Sequence, residues 1–205
     1  LHDGVYLKNF YKKIDRNIAK NKLSLPKDKK VVMYVGSLYP DREIENIIKL
    51  AELNPDLFFC IVGGPEKFKD YYFEMSKTRQ VNNINFTGQK PFSEISNYLF
   101  SADVLLALWS KKVPTINYCS PLKLFEYMAS GNIVVAHDFI TIKEIIKHRK
   151  NGYLVDHNDF NTLNTALKEI FLNLDKDKIA QNAREEVFRK YSWDQRAKSI
   201  INFLK

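Results

Sequence analysis

The chain has 205 residues, 45% of them hydrophobic and 27% charged: enough apolar surface to close one large α/β domain, and no uninterrupted apolar run of the roughly 18 residues that a bilayer span needs. Its two cysteines, Cys60 in an apolar run and Cys119 in a loop, suit neither a disulfide framework nor a zinc cluster, which fits a reducing cytoplasm. The formal charge of +8 is concentrated at the front, where residues 1–30 hold nine Lys or Arg against three Asp, and the nearly balanced remainder excludes a basic, aromatic-lined nucleic-acid face.

The sequence opens on Leu1 with no basic-then-apolar leader, which reads as a fragment of a longer protein and not as a secreted precursor. Residues 1–30 form a lysine-rich leader containing Pro26, read either as a solvated surface or as a contact for anionic lipid; residues 31–205 form one domain. From Val31 onward, VVMYVGS, FFCIVGG, INFTG, DVLLALW, NIVVAHD and GYLV read as strands, separated by longer amphipathic segments. Several of these strands lack polar alternation, as a parallel sheet covered on both faces requires, so the fold class is α/β with a doubly wound parallel sheet. After Val155 three helices are predicted, near 159–173, 175–190 and 192–204, and Ser192-Trp-Asp-Gln195 has capping-box spacing for the last.

In such a sheet, ligands bind beyond the carboxyl ends of the strands, so chemistry is sought in the loops that begin at Gly36, Gly63, Gly88, Trp109 and His137. In the first of these, GSLYPDREIE, Arg42 reads as a clamp for phosphate oxygens or as a surface partner of Asp41 or Glu45. The second, VGGPE, allows close backbone approach but is no dinucleotide or P-loop fingerprint. The third, FTGQKP, would present backbone groups to a flat base or simply end a strand.

The stretch SPLKLFEYMAS predicts a helix with Ser120 as its N-cap and Pro121 in the first helical position. Lys123 then falls in the first turn, against the positive end of the helix dipole; a phosphate would justify it there, and snorkelling to solvent is the alternative. Glu126 is a charge on an otherwise apolar helix and needs partners, either sugar hydroxyls, a buried arginine or backbone N–H groups. Ser120-Pro-Leu-Lys123 matches the S-x-x-K of serine acyl-transfer enzymes by coincidence, because the companion elements are absent. His137-Asp138 reads as an acid–base pair or as a structural or loop feature, the second being favoured because neighbours in sequence need not meet, and no histidine spacing points to a metal.

Together these pieces resemble the C-terminal donor-binding domain of a GT-B glycosyltransferase, of the retaining glycosyltransferase family 4 (glycosyl transferases group 1). The pieces are HDGV at 2–5, YVGSLYPDR at 34–42, IVGGPE at 61–66, NINFTGQKP at 83–91, SADVLLAL at 101–108, SPLKLFEYMASGNIVVA at 120–136, NGYLV at 151–155 and YSWDQRA at 191–197. The resemblance implies a Rossmann-like half of a GT-B fold. It also implies that Glu126 binds the donor ribose, that Arg42 and the backbone of Leu122 and Lys123 hold the diphosphate, and that Gln89 and Lys90 meet the base. Gly36, Ser37, Gly63, Tyr118 and Ser120 complete the implied donor site. Two departures from the family pattern stand out: Tyr118 replaces the first glutamate of the E-x7-E motif, and Ser37 replaces an arginine after the first glycine. A third is FITIKE at 139–144, which replaces a glycine-rich turn.

The resemblance further implies transfer of a hexosyl group from a nucleotide-sugar to a glycan or lipid-linked acceptor in polysaccharide biosynthesis. Arg42 and Lys123 are the candidate catalytic residues in place of a metal, and no cofactor is expected. An N-terminal domain of the same protein is expected to carry most of the acceptor site, and the setting is cytoplasmic with peripheral contact to a membrane and no nucleic acid. The rival readings are a nucleotide-sugar epimerase of related fold and a noncatalytic nucleotide-binding or partner-docking module.

Overall fold

The six apolar runs become six strands of one sheet. In the computed structural model, which describes residues 2–204, these are β1 (Val31–Val35), β2 (Phe58–Val62), β3 (Ile84–Phe86), β4 (Val104–Ala107), β5 (Ile133–His137) and β6 (Tyr153–Val155). Leu1 and Lys205, which end the two predicted segments, lie outside the described residues. Every pairing is parallel, in the order β3-β2-β1-β4-β5-β6, so that Met33 of β1 sits opposite Cys60 on one side and Leu105 on the other.

The unbroken hydrophobicity of these strands follows from two cores. Successive residues point to opposite faces: Val31, Met33 and Val35 enter one core, Val32 and Tyr34 the other. The first face is covered by α1 (Arg16–Lys22), α4 (Phe92–Ser101), α5 (Leu122–Ser130) and α6 (Ile140–Ile145). On the second lie α2 (Ile44–Glu52), α3 (Glu66–Thr78) and α7 (Phe160–Leu172). The helix α8 (Lys176–Lys190) serves both, with Ala183 and Val187 in the first core and Ile179 and Ala180 in the second. The last helix, α9 (Trp193–Phe203), buries no residue; its start is fixed by Ser192, whose hydroxyl accepts the Gln195 N–H at 3.1 Å.

The leader is seated on the body. Val5, Phe10, Ala19 and Leu25 belong to the first core. At the foot of β4 the buried Asp103 carboxylate accepts Lys20 Nζ and Arg16 Nη1 at 3.0 Å each and the Val31 N–H at 2.9 Å, with Lys30 at 3.8 Å. Lys13 donates to the Gly131 carbonyl at 2.9 Å, and Arg184 donates to that of Ala129; both cations meet the negative end of α5, which closes on Gly131 with φ 69°. The leader charge is therefore more than a solvated face, because Lys20 and the half-buried Arg16 pair with the buried Asp103.

The strand order reverses between β1 and β4. Above that switch point the connections leave to opposite faces and a crevice opens at the carboxyl ends of the strands.

Candidate functional site

The loops above β1, β2 and β3 are tied together by backbone hydrogen bonds that continue the ladder. The Gly36 N–H donates to Val62 O at 2.9 Å, the Gly63 N–H to Gly88 O at 2.9 Å and the Leu38 N–H to Gly64 O at 2.7 Å. Gly63, at φ +146°, passes so near Gly36 that a Cβ would lie 1.8 Å from the Gly36 carbonyl oxygen; only glycine allows this approach. The result is a cavity of about 360 Å³ whose lining includes Gly36, Ser37, Gly63, Gln89 and Lys90.

Beside this cavity α5 presents its amino end. The helix begins one residue later than its sequence suggests, at Leu122, with Pro121 as an extended cap that makes no side-chain capping bond. Ser120 is not the N-cap, because its hydroxyl accepts the backbone N–H of Asp3 at 2.7 Å across 117 residues of sequence. Among the described residues the Leu122 and Lys123 N–H groups have no hydrogen-bond acceptor, so the positive end of the dipole is open to an anion. The helix is fixed to the sheet by buried Tyr127, whose hydroxyl accepts the Val35 N–H at 2.7 Å and donates to Val35 O at 2.8 Å.

Lys123 does not snorkel. Its amine donates to the Tyr34 hydroxyl at 2.9 Å and lies 4.3 Å from the Tyr34 ring centroid and 5.4 Å from that of Trp109. The same amine fills the space over Gly36, where a Cβ would come within 2.5 Å of Nζ. Burial, with the Arg42 charge adding to it, pulls the Lys123 pKa down to about 7, while Glu126 and Asp41 oppose the shift.

Arg42 ends a single 3₁₀ turn, Pro40–Arg42, just ahead of α2. Its Nε donates to Ser37 Oγ at 3.3 Å and Nη1 stands 3.5 Å from the Asp41 carboxylate, so part of its charge is met by the ion pair with Asp41. Among the described residues the buried Nη1 nevertheless has no hydrogen-bond acceptor. Glu126, one turn into α5, has no hydrogen bond or ion pair among the described residues, and burial raises its pKa, partly offset by Lys123. Lys123 and Arg42 thus reach the cavity lining at Gly36 and Ser37, and the helix that carries Lys123 also carries the two free amides and, one turn on, the unpartnered Glu126, a set suited to a group that is anionic at one end and hydroxylated at the other.

Other expected residues fall elsewhere. Tyr118 is 74% exposed in the loop between β4 and α5 and does not line the cavity. Ser120 serves the chain entry, and the Leu122 side chain is half exposed, leaving only its backbone for a ligand. His137 and Asp138 do not meet as a pair: the Nδ1 of His137 lies 2.7 Å from the Trp109 carbonyl oxygen, while Asp138 binds His157 at 2.7 Å and Lys143 at 2.8 Å. Among the described residues, Asp138, Asp156 and His157 alone bring metal-ligating atoms within 4.8 Å of one another, and two of the oxygen contacts there already go to Lys143 and His157. The sequence assigns no role to Tyr34 or Trp109, the two aromatics that enclose Lys123. Tyr34 lies two residues ahead of a loop glycine, a position that could have drawn attention to it.

The sequence profile described as Glycosyl transferases group 1 matches residues 15–186. An uncharacterized glycosyltransferase of Methanocaldococcus jannaschii is 26% identical over 185 residues, covering 87% of this chain and 45% of the relative. The crystal structure of Anabaena Alr3699/HepE in complex with UDP-glucose superposes with a TM-score of 0.83 at 18% identity, over 98% of this chain and 55% of that one. The C-terminal domain of a glycosyl transferase group 1 family protein, LpcC, from Francisella tularensis superposes with a TM-score of 0.76 at 24% identity, over 92% of this chain and 99% of that one. At these identities the solved structures speak for the fold. The chain spans about half the length of the curated relatives it matches.

Proposed function

The chain belongs to the glycosyl transferases group 1 family, and from that premise we propose that it is the donor-binding half of a hexosyl transferase that uses a nucleotide-sugar. The observation that carries the reading is that Lys123 and Arg42 reach the switch-point cavity at Gly36 and Ser37, with the open amino end and the unpartnered Glu126 on the helix that carries Lys123. The diphosphate lies against the Leu122 and Lys123 amides with Arg42 and Lys123 beside it. Glu126 accepts the ribose hydroxyls, and Gln89 and Lys90 face the base across the glycine loops. As the bond to the sugar breaks, negative charge grows on the leaving diphosphate, and groups already aimed at it stabilise that charge without reorganisation. Arg42 and Lys123 supply this part without a metal, and transfer proceeds with retention to a glycan or lipid-linked acceptor.

In this reading residues 31–205 form the nucleotide-sugar-binding body and residues 1–30 the interdomain segment, with an N-terminal domain of the same protein supplying most of the acceptor site. The family match favours the transferase over the epimerase and docking-module readings. No described helix is long and apolar enough to cross a membrane. Peripheral contact from the cytoplasmic side would use leader lysines left exposed, such as Lys8 and Lys12. Flotation with anionic vesicles tests that contact: binding should weaken with salt, and no flotation at low salt would remove membrane contact from the proposal.

Calorimetry with UDP, GDP, ADP and CDP tests the donor site and identifies the base. One nucleotide is expected to bind selectively, with Glu126→Ala and Lys123→Ala each weakening it by about tenfold or more, the scale of a lost charge-assisted hydrogen bond. Binding of none, or binding indifferent to both substitutions, would overturn the assignment.

A further inference from the structure

The Lys123 amine is held in an unusual way for a buried cation. Among the described residues no carboxylate lies within ion-pair distance of it and its one hydrogen-bond partner is the Tyr34 hydroxyl; two aromatic rings and Gly36 close around it. The titratable and charged groups facing it are Tyr34 from β1, Asp41 and Arg42 from the turn ahead of α2, and Glu126 from its own helix. Arg42 repels it, and Asp41 is spent on Arg42 at 3.5 Å. Tyr34 is itself fixed, because its hydroxyl donates to Ser37 O at 2.7 Å, which leaves its oxygen lone pairs for Lys123. The same hydroxyl thus orients the amine and the first residue after the Gly36 turn.

Resting on the diphosphate site proposed above, we infer that Tyr34 is a positioning residue for Lys123, and that a nucleoside diphosphate, on binding, draws one proton from solvent onto the Lys123 amine. The anion supplies the counter-charge that the pocket lacks, so the ammonium form, disfavoured in the empty site, becomes the stable one. The sign follows from the empty-site pKa of about 7. At pH 8 the amine is mostly neutral before binding and charged after it, so uptake approaches one proton per nucleotide. At pH 6 it is charged in both states and its uptake falls towards zero, while the half-protonated terminal phosphate gives up protons on binding, so net uptake vanishes or reverses. That phosphate, with its second pKa at about 6, is already ionised at pH 8 and does not account for the proton taken up there.

The test is calorimetry on this chain with UDP and GDP, at pH 8 and pH 6, in buffers of different ionisation enthalpy. The wild-type chain should take up close to one proton at pH 8 and none, or release protons, at pH 6. Lys123→Met should bind more weakly with no uptake at either pH. Tyr34→Phe keeps the ring and loses only the hydroxyl. It should bind severalfold more weakly and move the pH at which uptake sets in downward, because the ammonium has lost its acceptor, while its thermal melting confirms the fold. Nucleotide binding without uptake at pH 8, or with uptake that persists in Lys123→Met, overturns the proton linkage and leaves the donor site standing. An unmoved pH midpoint in Tyr34→Phe overturns the positioning role. Failure of both nucleotides to bind removes the inference together with the donor-site reading beneath it.

Discussion

Tyr127 shows at the scale of one residue how the site is held. In the sequence it is one more apolar member of a helix; in the fold it is fully buried and its hydroxyl serves both backbone groups of Val35, the last residue of β1. Tyr127→Phe would leave a buried N–H and a buried C=O without partners at the strand end that leads into the Gly36 turn. A loss of about 1–3 kcal/mol in urea unfolding is expected, together with weaker nucleotide binding as α5 loosens from β1. Unchanged stability would mean that the two groups find other partners. Lys123 differs from Tyr34 and Tyr127 in one property that explains why the sequence singles out only the lysine. A lysine in a first helical turn is locally anomalous, whereas each tyrosine acts through a partner that only the fold brings near, Lys123 being 89 residues from Tyr34 and Val35 being 92 from Tyr127.

Among the elements, the strands were the most legible, because a sheet buried on both faces leaves runs such as FFCIV and VLLA with no polar alternation to confuse them. The three terminal helices follow equally well from their periodicity. The start of α5 did not, for a physical reason: serine followed by proline is a good local signal for a helix start, but the Ser120 oxygen is claimed by Asp3, and that long-range bond outweighs the cap. Its consequence suits the proposed chemistry, since a side chain capping α5 would occupy the amides that an anion needs. The leader posed the opposite problem, because charge counting cannot show that Arg16, Lys20 and Lys30 converge on Asp103. Asp103→Ala would strand the buried Lys20 and remove the acceptor for Val31. The expected cost is about 3–5 kcal/mol, with α1 becoming the first site of proteolytic cleavage. Cleavage no faster than in the wild-type chain would show that Phe10, Ala19 and Leu25 hold the leader by apolar packing alone.

For the molecule as a whole, the topology decides where function can sit. The order β3-β2-β1-β4-β5-β6 places the switch point between β1 and β4, and the proposed site residues come from the loops and helix that follow β1, β2, β3 and β4. A larger hollow of about 690 Å³ lies near the amino ends of β2 and β3, lined by Pro26, Phe58, Gln80 and Asn83 among others, so size alone would point to the other end of the sheet. Chemistry separates the two, because the smaller cavity has the Lys123 amine over its Gly36, on the helix whose first amides are open. The most direct test of the central claim is an NMR titration of the ¹⁵N-labelled chain, following every backbone amide as UDP and then GDP is added. The account predicts that the largest shifts fall on Gly36, Gly63, Leu122 and Lys123. Shifts gathered around Gln80 and Asn83 with α5 undisturbed, or no shift with either nucleotide, would contradict it.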